Sequence, residues 1–412
     1  MKKVCVIGGG PAGLMSAYVS ASEGNEVVLF EKNEKLGKKI YITGKGRCNF
    51  TNYLPADEFL ENVVRGKKFM TGALYSFPPQ KTIDFMEENG LSVKIERGNR
   101  AFPSSDHASD VTKTLEKACK RVGVSIHLKE KVLKIQTTMP DISIMPRIVG
   151  VLTEKGYYDF DAVIVATGGI SYPATGSTGD GYQFAKDFGL KVTDLKAGLC
   201  GFNLKRDVHL DLQGISLKNV SLSAFLGDKK VYDGFGEMLF THFGISGPIV
   251  LTLSSYINRL NLKETTFYID FKPALDEGML DKRILRDFEE YKNKQISNAL
   301  LSLLPHKLIT PVLKTAQIPL DKSVHLITKQ ERGRLVQVLK KFPLKPLSLR
   351  DFSEAIITSG GVDLTEINPK NMSSKKVDGL RFCGEVLDVD ALTGGFNMQI
   401  AFSTGYLAGK GV

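Results

Sequence analysis

An apolar run, Val4-Cys5-Val6-Ile7, ends abruptly in Gly8-Gly9-Gly10-Pro11-Ala12-Gly13 and gives way to a helix-forming stretch reaching Ser22. Val27-Val28-Leu29-Phe30 is a second apolar run, closed by Glu31, so the first 31 residues read strand, helix, strand. In Gly8-x-Gly10-x-x-Gly13 each glycine has its own steric task. Gly8 permits the tight turn, Gly10 lets backbone approach a pyrophosphate, and Gly13 lets the helix pack closely on the strand. Pro11 and Ala12 open a helix whose free amides and positive dipole end face those phosphates. Glu31 lies 21 residues past Gly10, where it can accept hydrogen bonds from ribose hydroxyls. The segment therefore reads as a site for the ADP half of a dinucleotide.

A chain of 412 residues exceeds one ordinary domain, and 42% hydrophobic with 24% charged residues excludes bulk disorder. The five cysteines are scattered and never spaced as CxxC, which argues against a disulfide scaffold, a metal site or a redox dithiol. A reducing cytoplasm is expected. Lys2-Lys3 precede an apolar run, but that run breaks into glycines without a cleavage site. No stretch approaches the roughly 18 apolar residues of a membrane span, so no membrane association is expected. The formal charge is +10, and residues 276–350 carry fifteen Lys/Arg against eight Asp/Glu. That excess reads as a solvated helical surface attracting an anionic cofactor or small-molecule substrate, with nucleic acid as the less favoured partner.

Further along, Asp110–Arg121 has Val111, Leu115, Ala118 and Val122 on one helical face and Gly123 as its stop. Strand-like pieces occupy 124–128, 132–136, 147–153 and 157–160, then a buried strand Ala162–Ala166. From about 196, segments near 199–206, 215–226, 229–232 and 265–272 are short and rich in β-formers. Residues 276–342 switch to helical period, with Thr328 and Glu331 spaced as a capping box, and Pro343 and Pro346 close the region. Glycine-punctuated strands return after 354, and a final helix is expected from Gly394. The expected organisation is an α/β dinucleotide domain, 1–195 plus 354–412, interrupted by a β-barrel-like substrate domain (196–275 plus about 343–353) and a helical insert (276–342).

The loop after the second strand favours FAD over NAD. Lys32, Lys38 and Lys39, then Gly46, Arg47, Cys48 and Asn49, belong to a long glycine-rich segment suited to an extended cofactor. Thr167 and Gly168 end a strand where the chain can pass close to a flavin, and Gly384-Glu385 end another, with Glu385 available to ribityl hydroxyls. Gly395, Phe396, Asn397 and Met398 begin the last helix, whose amides could face the N1–C2=O edge of a flavin.

The strings KLGKKIYITGKGRCNFTN (35–52), ATGGISYPATGSTGDGY (166–182), THFGISGP (241–248) and GEVLDVDALTGGFNMQIAFSTGYLAG (384–409) resemble the BaiN/YhiN-type NAD(P)/FAD-dependent oxidoreductases. That group also includes aminoacetone oxidase-like flavoproteins. The resemblance spans nearly the whole chain. It implies a Rossmann-like FAD domain split around barrel-like and helical domains, with Glu31, Lys38, Arg47, Asn49, Val132 (through its backbone, to adenine), Glu385 and Asn397 lining the FAD. This chain has Gly44-Lys45-Gly46 where the group often has three glycines.

No second GxGxxG comes after a strand, so NAD(P)H is expected only as a transient donor at an open flavin face. His242 and Tyr172 are the acid–base candidates. Each has a plain structural alternative, and Cys48 reads as a packing residue or as a flavin-adduct thiol. Three activities are open to such a chain: NAD(P)H-driven reduction of a C=C conjugated to a ketone, on a 3-oxo-Δ4/Δ6 steroid or bile acid; oxidation of a small amine with release of hydrogen peroxide; or an RNA-associated flavoprotein.

Overall fold

The computed structural model describes residues 1–138, 145–205 and 211–412. The chain divides into two compact units, Met1–Gly198 with Phe352–Val412, and Leu199–Asp351.

The first unit is built on a parallel five-stranded sheet. β1 (Lys3–Ile7) lies centrally, flanked on one side by β2 (Glu26–Glu31) and Ser125–Leu128, on the other by Ala162–Val165 and Leu380–Phe382. The order reverses at β1, which is where open α/β sheets leave a crevice beyond the strand ends. Ile7 pairs with both Phe30 and Val165, and Val165 pairs with Phe382. Four strands thus end level with one another. Gly8, Glu31, Ala166 and Cys383 are the next residues out, and this alignment gathers segments hundreds of residues apart at one edge of the sheet.

Helix α1 (Pro11–Ser22) and the C-terminal helix Phe396–Gly409 pack together through small residues. A Cβ at Gly405 would fall 2.5 Å from the Ala12 carbonyl oxygen, and one at Gly409 2.4 Å from that of Ser16. An antiparallel meander (Val132–Thr137, Ile148–Thr153, Gly156–Asp159) precedes the fourth parallel strand. Three short helices between 56 and 88 and a small sheet at 51–52, 93–96 and 100–103 extend the unit; no periodic pattern in the sequence marked them.

The second unit holds a seven-stranded antiparallel sheet in the order 342–344, 265–270, 216–226, 229–240, 244–246, 202–204, 346–349. Its two outermost strands are consecutive in the chain, joined by Lys345 alone, so the sheet must curl into a barrel. The β-forming segment expected at 199–206 appears as Phe202–Leu204, and position 206 lies outside the described residues. Residues 248–257, inside the expected barrel-like domain but in none of its strand-like segments, are helical: Pro248 supplies a favoured first helical residue, and Ile249, Val250, Leu253 and Ile257 are buried. Pro343 and Pro346 lie in the two edge strands, where a missing N–H is tolerated. The helices of 277–340 bury Leu280, Ile284, Leu308, Val312 and Leu335 in the same apolar cluster as Leu222, Phe267 and Phe342 of the sheet. Thr328 and Glu331 do form the reciprocal capping box that their spacing suggests. No helix among the described residues is long and apolar enough to cross a membrane.

Candidate functional site

The turn leaving β1 is sterically determined. Gly8 has φ +109°, and a Cβ there would sit 2.6 Å from the Ala166 carbonyl oxygen; at Gly13 it would sit 1.9 Å from that of Gly8. At Gly10 a Cβ would meet nothing within 4 Å among the described residues. Gly8 and Gly13 are therefore demanded by the protein's own packing, whereas Gly10 borders empty space. Helix α1 has no side-chain cap and no acid in its first turn. Among the described residues the amides of Ala12 and Gly13 have no acceptor outside the helix, which leaves them as donors for an anion.

Glu31 is buried and accepts from the Gly9 amide (2.8 Å), the Asn33 amide (2.8 Å) and the Asn33 side chain (2.7 Å). Three of its roughly four acceptor positions thus fix the glycine turn, leaving one for a hydroxyl. Next to it, the Glu130 amide donates to the Glu31 carbonyl at 3.1 Å. Burial pushes the Glu130 carboxyl up, but hydrogen bonds from Thr153, Lys155, Tyr158 and His127 overcome this and hold it at about 2. A pKa depressed on folding adds stability that is complete above the unfolded value of about 4.3 and is lost as pH falls toward 2. Glu130→Gln should therefore lose less stability than wild type between about pH 5 and about pH 3, read from urea midpoints. Val132, the residue expected to meet adenine, lies two positions on and is buried.

Four cations of the loop after β2 are already paired. Lys32 Nζ meets Asp180 at 2.7 Å, Lys38 meets Glu34 at 3.1 Å, and Lys39 meets Glu385 at 2.7 Å. Arg47 binds Glu96 and Asp106 and stacks 4.3 Å over Phe102. With these four balanced, only Lys35, set over the Tyr41 ring, and Lys45 are without an ion pair in this loop among the described residues, and the turn itself offers a phosphate its backbone amides. Glu385 also accepts from Ser171 (3.0 Å) and the Thr358 amide (2.8 Å). Sequence reading missed Asn33, Ser171 and Thr358; Ser171 did lie inside the ATGGISYP string, but nothing local marked its role.

Both ends of the chain meet at the last helix. Gly395, at φ +94°, could not carry a Cβ, which would fall 2.5 Å from the Thr51 carbonyl and 2.8 Å from Asn49 Oδ1. Asn397 holds the Ala391 N–H and C=O (3.0 and 2.7 Å), so its side chain secures the approach to the helix. Phe396 packs edge to face on Phe59 at 4.9 Å, and Met398 Sδ lies 3.9 Å from Cys48 Sγ. Gln399, also missed, is fully buried and makes four hydrogen bonds: from Thr51 (2.6 Å) and Thr82 (2.8 Å), and to the Phe77 carbonyl (3.1 Å) and Ser403 (3.0 Å).

The residues fit an extended dinucleotide. Buried Asn49 Oδ1 and Thr167 Oγ1 have no hydrogen-bond partner among the described residues, the space beside Gly10 is open, and the amides of α1 are uncapped. Orphaned buried polar atoms are uncommon and point to an absent partner. Cys48, a non-glycine residue at φ +61°, holds strained backbone next to Arg47, as found at ligand sites. Burial pushes the Cys48 thiol up to about 12, despite a hydrogen bond from Thr43. All five cysteines are buried, so the native protein should resist a thiol-labelling reagent and take up five equivalents only when unfolded.

Tyr172 is half-buried at φ +51°, its amide donating to the Phe352 carbonyl at 2.9 Å. His242 occupies an exposed bend of the second unit, edge-on to Phe243 at 5.2 Å.

The HI0933-like protein Rossmann domain matches residues 2–411. The chain belongs to that family. It is accordingly an FAD-dependent oxidoreductase with an FAD-binding Rossmann fold. Among its relatives, the ribosomal RNA dihydrouridine synthase of Haemophilus influenzae is 33% identical over 405 residues, covering 97% of this chain and 96% of its own. The 3-dehydro-bile acid delta(4,6)-reductase of Clostridium scindens is 29% identical over 416 residues, covering 100% and 98%. The solved 3-ketosteroid delta1-dehydrogenase of Sterolibacterium denitrificans superposes with TM-score 0.54 at 12% identity, over 99% of this chain and 98% of its own, a likeness of fold.

Proposed function

We propose that this member of the family reduces a carbon–carbon double bond conjugated to a carbonyl, with NAD(P)H as the transient donor. The observation carrying this is that two relatives covering 97% and 100% of the chain are named for reactions with the same bond change. A delta(4,6)-reductase acting on a 3-dehydro bile acid saturates alkenes conjugated to a 3-ketone. Forming dihydrouridine saturates the uracil C5=C6 bond, which is conjugated to the C4 carbonyl.

FAD, when bound, supplies the hydride chemistry. The chain's part is to bind and orient: α1 amides and the open face of Gly10 take the pyrophosphate, Glu31 a ribose hydroxyl, and Asn49 and Thr167 the groups that satisfy their buried oxygens. Tyr172 and His242 are the groups proposed to hold or move the substrate's proton.

A 3-oxo-Δ4 or Δ6 steroid of the bile-acid type is one substrate class. A uracil ring held in RNA is the second, favoured by the 33% relative and the net charge of +10. Anaerobic mixing with NADH or NADPH should bleach the flavin band, and reoxidation by a 4-en-3-one steroid or by RNA rich in uridine identifies the acceptor. Peroxide release on aminoacetone without nicotinamide, and no bleaching by either nicotinamide, would sink the reading in favour of an amine oxidase.

A further inference from the structure

In the second unit, alternate residues of Ser216–Leu226 point to opposite sides of the sheet. Leu222 and Ala224 are fully buried, while Ser221, Ser223 and Phe225 face the other way. Across one ladder Ser223 opposes Tyr268 and Phe225 opposes Thr266. Across the other, Ser221 opposes Phe235, whose side chain is 63% exposed. Three aromatic rings therefore stand on the outer face of three neighbouring strands, spaced by two small serines.

Lysines surround them. Lys341 Nζ lies 5.2 Å from the Phe225 ring centre and 4.8 Å from that of Tyr268, and those two rings meet edge to face at 5.5 Å. Lys345 donates to Thr266 at 2.6 Å, and Lys230 opposes Phe225 across the ladder. Lys341 and Lys345 are exposed, and neither is ion-paired among the described residues. Two acids on this face are ion-paired, Asp233 with Lys230 at 3.2 Å and Asp270 with Lys340 at 2.5 Å, while exposed Glu237, two residues beyond Phe235, has no ion pair among the described residues. Residues 199–351 carry 23 Lys/Arg against 16 Asp/Glu, whereas the larger first unit carries 32 against 29. The basic excess of the chain is concentrated in the unit bearing the aromatic face.

We propose that this outer face of the barrel is a docking surface for single-stranded RNA, its rings stacking on bases and Lys341 and Lys345 meeting phosphates. Flat aromatic platforms edged by cations suit unpaired nucleic acid, because every base has a face to stack. A protein partner would be expected to meet a core depleted of lysine. The inference rests on the reading in which the conjugated bond belongs to a uracil in RNA.

The test uses the full-length, FAD-loaded protein and a dye-labelled single-stranded RNA of about 20 nucleotides, a length spanning one or more site sizes, with anisotropy measured across a salt series. Tyr268→Ala and Phe235→Ser should each weaken binding about tenfold, as expected for a lost stacking contact. The pair Lys341→Glu with Lys345→Glu should reduce the slope of log affinity against log salt by about 1.4, from roughly 0.7 per phosphate contact. The charge-matched pair Lys282→Glu with Lys314→Glu, on helices of the same unit, should leave the slope unchanged. Equal flavin content in all variants reports an intact fold.

No RNA affinity in the wild type at low salt, or equal loss in both charge-reversal pairs, overturns the proposal. So does a concentration-dependent dimer abolished by Phe235→Ser without RNA retention, which would assign the face to a second copy. RNA held by this face but never reduced keeps the surface and removes the uracil reading. Uridine reduction unaffected by all face variants does the reverse.

Discussion

Gly10→Val should leave the fold intact and remove the cofactor. Its backbone, at φ −85° and ψ −174°, is an extended conformation that valine favours, and a Cβ there touches nothing within 4 Å among the described residues. The added methyls fill only the space a pyrophosphate needs. FAD affinity should fall by about a hundredfold or more, equivalent to about 3 kcal/mol. Gly13→Ala makes the contrast, since its Cβ would fall 1.9 Å from the Gly8 carbonyl oxygen and must displace the turn itself. The checks are the ratio of flavin to protein absorbance after purification and the unfolding midpoint of the apoprotein. The pattern expected is cofactor loss with an unchanged midpoint for Gly10→Val, and loss of both for Gly13→Ala. A flavin-replete Gly10→Val protein would show that the pyrophosphate lies elsewhere.

The second large effect belongs to Gln399. Its amide uses both donors and accepts two hydrogen bonds in a site with no solvent access. Gln399→Met keeps the volume but leaves the hydroxyls of Thr51 and Thr82 without their acceptor. Each buried polar group so stranded costs about 1–3 kcal/mol, which puts the loss at about 3–5 kcal/mol. The Phe77 carbonyl retains Ser403 at 2.7 Å and adds little. Urea unfolding of the apoprotein reads this directly. A change below about 1 kcal/mol would mean that water replaces the amide. Thr51 continues the segment on which Gly395 sits, so the variant should also retain less flavin at equal protein concentration.

The sequence disclosed what depends on neighbours in the chain. The first βαβ unit, the buried strand at Ala162–Val165 and the capping box at Thr328 all arise from local period, steric need or short spacing. Contacts across long separations left no such mark. Lys39 and Glu385 are 346 positions apart, and neither residue type announces the other. The same holds for Arg47 with Glu96 and for Gln399 with Thr82. The helix at Pro248–Ile257 was obscured because its apolar residues lie among strand segments of similar composition. What a lysine-rich loop offers a phosphate can be judged only after its carboxylate partners are placed.

Strand Lys196–Gly198, where the chain leaves the first unit, pairs antiparallel with Ile357–Ser359, where it has just returned, with Ala197 opposite Thr358. To the host unit, the intervening barrel is no more than the loop of a hairpin. Apolar side chains of the host and of the guest belong to separate clusters. Such an arrangement lets evolution exchange the guest while the cofactor machinery keeps its register, as a tool changes bits on one handle. Related chains can thus acquire new acceptors through alterations confined to one cassette, and the neck at 197 and 358 marks where an engineered transplant should be cut.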